Sequence, residues 1–193
     1  MKKIFALISL FLLMSCNDGN FEIASFEFED TVNYCDEYLL YKLSTNEQKE
    51  TLMVTLTTQQ IKNSDDLVAP VQVTPTGLFQ VTYRIFDDRV TSSYFCALVP
   101  ATEPKTVENW IGVDGIIFVQ NEAVYNDDGT EIIAYNHIIT IDDLVLESGE
   151  NRLKFDATYE YGEFQTPVDN KYLCLPQMGK NFYASKKLPL GYN

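Results

Sequence analysis

The chain has 193 residues, 14 Lys and Arg against 28 Asp and Glu, and one histidine. Its net charge of −14 argues against nucleic acid, which is held by clustered Lys and Arg, and against close adhesion to anionic lipid heads. An apolar share of 46%, with 12 Phe and 12 Tyr, rules out a disordered stalk and supplies enough material for a real core.

The chain begins with a positive stretch, Met1-Lys2-Lys3, followed by an uncharged apolar run from Ile4 to Met14. That run is too short to span a bilayer, which needs about 20 apolar residues, and the chain turns polar at Asn17-Asp18-Gly19-Asn20. A charged start, a short apolar run and a small residue at its end form a secretory signal that is removed on maturation. The run closes on Leu13-Met14-Ser15-Cys16, which resembles the lipobox of bacterial lipoproteins. The resemblance implies cleavage after Ser15, a diacylglyceryl group on the Cys16 thiol and acylation of the new amino group. Several acyl chains anchor stably, because each buried methylene contributes about 0.8 kcal/mol and one chain alone is marginal. The alternative is ordinary secretion with a coincidental cysteine. Residues 1–15 are then a leader, 16–20 a short tether and 21–193 one domain with an irregular C-terminal tail. Loss of Lys2 and Lys3 leaves 12 basic against 28 acidic residues, a mature charge of −16.

Phe21 to Glu29 alternates apolar and polar residues, the period-two signature of a half-buried strand. Tyr38 to Leu43 and Thr51 to Thr57 are two more strands, joined by the polar loop Ser44 to Gln48. Pro70 limits Val68 to Val73 to an edge strand or a loop, and Thr74-Pro75-Thr76-Gly77 is a turn. Leu78 to Phe86 is expected as a strand with Val81, Tyr83 and Ile85 on one face, and Val90 to Leu98 as the next. Thr106 to Trp110, shortly after Pro104, reads as one helical turn. Gly115 to Val124 and Glu131 to Ile141 flank Asn126-Asp127-Asp128-Gly129, whose Asp-Gly pair accepts the positive φ of a hairpin turn. After a second tight turn at Ser148 to Asn151, Arg152 to Phe164 is the cleanest strand of all. Strands at near-regular spacing define an all-β fold, expected as a single antiparallel β-sandwich of about eight to ten strands.

Three cysteines remain beyond Cys16, namely Cys35, Cys96 and Cys174, without the spacing of a zinc site. An exported chain meets an oxidising compartment, and Cys35–Cys96 is the expected bridge, with three free thiols as the alternative. Four Asp-Asp pairs, at 65–66, 87–88, 127–128 and 142–143, are oxygen-rich, but Val124 stands where a calcium loop needs its first ligand. Turn chemistry accounts for such pairs, because Asp bonds its own backbone, and neither a metal nor a cofactor is expected. His137 is in phase with Tyr135, Ile139 and Ile141, which makes it a core or half-buried residue, and the chain has no nucleophile frame. No catalytic residue is assigned. Trp110, Tyr94 and Tyr125 are the candidates for an aromatic, sugar-stacking platform, with core packing as the alternative. Asp30-Thr31-Val32 resembles the Asp-Thr-aliphatic acceptor of O-glycosylation in Bacteroidota, which makes Thr31 a candidate site, an ordinary loop being the alternative.

Three stretches carry a wider resemblance: Thr31 to Cys35 with Leu40-Tyr41-Lys42, Val81 to Asp87, and Tyr94-Phe95-Cys96 with the Pro100 to Pro104 turn. They resemble uncharacterised lipoproteins of flavobacteria and related Bacteroidota over roughly residues 1 to 166. The resemblance implies an outer-membrane lipid anchor, with the face of the membrane undecided, and no particular activity. The expected function is a non-enzymatic binding module of the cell envelope, its partners the membrane through Cys16 and a glycan or protein ligand. A glycan-directed envelope hydrolase using an acidic pair and a structural subunit of an envelope complex are the alternatives.

Overall fold

The structure is a computed structural model that describes residues 26–35, 38–97, 99 and 101–168. The leader, the tether with Cys16, and the C-terminal tail with Cys174 lie outside the described residues. Nine strands occur among them: β1 (Asn33–Cys35), β2 (Leu39–Leu43), β3 (Glu50–Thr55), β4 (Val71–Gln72), β5 (Val81–Phe86), β6 (Thr106–Tyr125), β7 (Ile132–Ser148), β8 (Asn151–Lys154) and β9 (Tyr159–Pro167). One four-residue helix, α1 (Ser92–Phe95), interrupts them. The fold is all-β and antiparallel, and its strands belong to one hydrogen-bonded sheet ordered β1-β2-β3-β5-β6-β7-β8.

The sheet is organised by the β6–β7 ribbon, in which each strand is long enough to take two neighbours in succession. Residues 106–111 of β6 pair with β5, and Ile116 and Ile117 pair with β4. Residues 145–148 of β7 pair with β8, and 134–141 pair with β9. Between these halves the register of β6 against β7 shifts around Gly112–Ile116, with Gly115 at φ +134° and Asp143 opposite at φ +52°. Bulges of this kind bend a strand and re-aim its side chains. In β6 the inward set accordingly passes from Trp110 and Gly112 to Ile117, Val119 and Asn121.

The bend brings the two halves face to face. Tyr161 of β9 donates from its hydroxyl to the carbonyl of Leu52 on β3 at 3.1 Å, although the strands are not neighbours in the sheet. Leu40, Leu52, Val54, Val81 and Tyr83 of one half pack in one core with Ile117, Ile139, Ile141, Tyr161 and Phe164 of the other. This layout is compatible with a sandwich made by folding a single sheet. Gly162 faces the approach: it has φ +129°, and an added Cβ would lie 2.9 Å from the Val32 Cγ2 methyl. Gly162→Ala is therefore expected to destabilise the fold by about 2 kcal/mol, read as a lower urea midpoint at unchanged slope.

A second, smaller core covers the opposite face of β2 and β3. Tyr41, Leu43, Met53, Phe86 and Val90 are buried there under Tyr94 and Phe95 of α1. Phe95 stacks on Tyr41 with ring centroids 4.4 Å apart. Burial on both faces explains why β2 and β3 read as continuous apolar runs instead of alternating.

Four elements differ from the sequence reading. Of Phe21 to Glu29, the described residues 26–29 form no strand and make one isolated bridge, Phe28 to Ser44. Of the strand expected over Val90 to Leu98, the described residues 90–97 are not a strand: the segment is pinned at Val90 N–H to the Gln48 carbonyl (2.9 Å) and turns into α1, which lays Phe95 on Tyr41 of β2 and Tyr94 on Phe86 of β5. Thr106 to Trp110 is not a helical turn but the start of β6, because β5 offers a free edge and Trp110 pairs with Tyr83. Arg152 to Phe164 is two strands, broken at 155–158 where β7 itself bends at Asp143. Val68 to Val73 contributes only the two-residue β4, at the edge that Pro70 dictates.

Candidate functional site

The structure joins Cys35 to Cys96, with Cα atoms 5.3 Å apart across 61 positions of sequence. The bridge ties the end of β1 to the residue that follows α1, and so holds the outer layer against β2. This is the pairing expected from the sequence. Thr31 is exposed just before β1, while Val32 beside it is buried. Lys42 is buried between the layers with its Nζ 6.0 Å from the Tyr161 ring centroid. Burial lowers its pKa, and the nearby Asp30 charge opposes that shift.

The aromatic platform is not formed. Trp110 is 4% exposed within the main core, and Tyr94 packs against Phe86 on the opposite side of the sheet. Tyr125 is 52% exposed at the far end of β6 from Trp110. Strand direction separates Trp110 from Tyr125, and strand faces separate Trp110 from Tyr94.

The aspartate pairs are used in turns and loop contacts. Asp65 accepts the Ala123 N–H at 2.8 Å, Asp87 the Lys105 N–H at 2.9 Å, and Asp88 the Arg89 N–H at 2.7 Å. Asp142 accepts the Thr158 hydroxyl at 2.6 Å. Asp127 and Asp128 occupy the β6–β7 turn, which Asn126 closes by accepting the Thr130 N–H at 2.9 Å. Among the described residues no three His, Cys, Asp or Glu side chains converge on a common point that would hold a metal ion.

The most developed polar cluster surrounds His137. The ring is 0% exposed, edged by Phe164 with centroids 5.0 Å apart. Its Nδ1 faces Asn121 Oδ1 at 2.5 Å, directly across the β6–β7 ladder, and its Nε2 faces Thr166 Oγ1 at 2.7 Å on β9. Asn121 Nδ2 donates to the Gln60 carbonyl at 3.1 Å. The Thr166 hydroxyl lies 2.7 Å from Asn63 Oδ1, and Asn63 Nδ2 donates to the Pro167 carbonyl at 3.1 Å. The cluster thus fastens the 57–68 loop across the ends of β6, β7 and β9. Burial pushes the His137 pKa down to about 4, so the ring is neutral at pH 7.

Two hollows flank the cluster. One of about 320 Å³ is lined by Tyr38, Thr58, Lys62, Asn63, Ser64 and Thr166. One of about 460 Å³ is lined by Asp65, Asp66, Leu67, Phe118, Asn121 and Ile138 among others. Asn121 and Thr166, the two partners of the ring, each reach one hollow, whereas His137 reaches neither. The ring therefore meets no ligand directly, but its two partners connect it to both hollows. Gln60, Asn63, Asn121 and Thr166 were not singled out in the sequence. The available signal was phase: Asn121 follows Ile117 and Val119, His137 precedes Ile139 and Ile141, and Thr166 follows Phe164, so three strands each place one polar residue on an apolar face.

Searches of protein-family models, curated proteins and solved structures return no match to the chain.

Proposed function

We propose that the chain is a lipoprotein of the bacterial cell envelope, acylated at Cys16, carrying a non-enzymatic binding module on a short tether at the outer membrane. The observation that carries this reading is the Cys35–Cys96 bridge. Disulfides persist in exported proteins and are rare where thiols are kept reduced. The bridge thus supports the function of the leader, read independently from its charge and apolar run. Cys16 stands at the end of that run, directly after Ser15, where the lipobox places the acceptor thiol. The mature charge of −16 opposes electrostatic adhesion to anionic headgroups, so attachment falls to the acyl chains. A binding module fits the cluster better than a hydrolase does, because His137 is enclosed and the cited aspartates are engaged with backbone or hydroxyl groups.

The full chain expressed in a bacterial host with labelled palmitate is expected to take up label and fractionate with the outer membrane, and Cys16→Ala to abolish both. Absence of label in the natural sequence, or equal label in Cys16→Ala, would sink the reading.

A further inference from the structure

The contacts around His137 do not balance for a neutral ring. Five contacts run in line from the Gln60 carbonyl through Asn121, His137, Thr166 and Asn63 to the Pro167 carbonyl. Each contact needs one proton. In line, each amide supplies one, the Thr166 hydroxyl one and a neutral imidazole one, which makes four. Both ends are backbone carbonyls, which only accept, so turning either amide moves the gap without filling it. An imidazolium donates from both nitrogens and supplies the fifth proton.

Where the gap falls in the neutral form follows from burial. With the proton on Nε2, the gap lies between Asn121 Oδ1 and the ring Nδ1 or, once that amide turns, between Asn121 and Gln60, and all three residues are buried. With the proton on Nδ1, Thr166 donates to Nε2 and the gap moves to Asn63, a half-buried residue at the mouth of the smaller hollow, where water reaches it. An unmade contact is costly in the interior and cheap at the surface.

We propose that the 57–68 loop is latched by a proton: doubly protonated His137 closes all five contacts, and the neutral ring, protonated at Nδ1, releases Asn63 from the Pro167 carbonyl. Acid thereby closes the Asn63–Pro167 contact at the end of β9 beside the smaller hollow, whereas at neutral pH the Asn63 amide turns, its Nδ2 donating to Thr166 Oγ1 and its Oδ1 swinging away from the Pro167 carbonyl. The titratable groups on the inward faces around the ring are Tyr135 of β7, Tyr161 of β9 and Tyr34 of β1, the last stacked on Phe164. Tyr38 and Lys62 line the smaller hollow, and Asp65 and Asp66 the larger. Glu122 of β6 and Glu163 of β9 are exposed on the outward phase. No carboxylate on these elements contacts the ring, so the second proton is held by hydrogen-bond count alone.

The chain has a single histidine, so nitrogen labelling of histidine reports one ring. The full chain in detergent, labelled at histidine and asparagine, is followed by NMR from pH 7.5 to 3.5. At pH 7.5 the ring is expected to carry its proton on Nδ1. As it takes the second proton, the Asn63 side-chain amide is expected to shift with the same midpoint. In Asn63→Ala the Thr166 hydroxyl is left free for Nε2, and the midpoint is expected to fall by about one pH unit. In Thr166→Val the ring still titrates while Asn63 no longer follows it. A neutral ring protonated at Nε2, an Asn63 amide that stays still while the ring titrates, or a ring that gains its second proton only as the fold unravels would each overturn the latch.

Discussion

Reduction of the Cys35–Cys96 bridge is expected to lower the stability of the fold by about 4 kcal/mol, the loop-closure value for 61 positions. The bridge acts mainly on the unfolded chain, whose freedom it restricts between the end of β1 and the residue after α1. Its removal also has a local signature. α1 is too short to be stable alone, and its Tyr94 and Phe95 rings are held on β2 by packing and by the bridge. Without the bridge, Tyr41, Leu43 and Met53 face a layer held by the Val90 N–H contact, by ring packing and by the Tyr41 hydroxyl beside Ser92. Urea unfolding with and without reductant is expected to show a midpoint loss matching about 4 kcal/mol, and hydrogen exchange to rise first at 90–96. The double variant Cys35→Ala/Cys96→Ala separates loss of the bridge from side effects of the reductant. Equal midpoints in oxidised and reduced protein would contradict this.

Much of the strand pattern was legible because it depends on local chemistry. The Asn126–Gly129 turn, the break at Pro70 and the alternation of Val81, Tyr83 and Ile85 are written in adjacent residues. What was not legible depends on distant partners. Thr106 to Trp110 has a helical spacing of apolar residues, yet the unpaired edge of β5 draws it into a strand. Tyr94 and Phe95 alternate with nothing, and they form a helix because the outer face of β2 needs a cover. The bend in β6 reverses which residues face inward, so a single period carried along the strand fails beyond Gly112. Trp110 illustrates the same limit: its type suits a binding platform, but pairing with Tyr83 turns it into the core. For the His137 cluster, phase alone placed the ring inward, whereas its partners come from β6, β9 and a loop about 75 residues upstream. No local pattern joins Gln60 and Asn63 to Thr166.

The second large effect is a loss of stability in acid that belongs to His137 alone. The ring's ordinary pKa near 6.5 describes the unfolded chain, and burial lowers it to about 4 in the fold. The unfolded state therefore binds the proton first as the pH falls. The ring's contribution is whole above pH 6.5 and is lost between 6.5 and 4, reaching about 3 kcal/mol at pH 4. Acid also relieves repulsion among the 28 acidic residues, which acts in the opposite direction and hides part of the effect in the native chain. Comparison with His137→Gln removes that background, because the two chains share every other charge. Gln keeps polar groups facing Asn121 and Thr166 but does not titrate. The stability of the native chain minus that of His137→Gln, from urea unfolding, is expected to fall by about 3 kcal/mol between pH 7.5 and 4. A flat difference would mean that water reaches the ring in the folded state. A difference that falls by clearly less would mean that the contacts to Asn121 and Thr166 hold the second proton more firmly than burial repels it, and the latch would then operate closer to neutral pH.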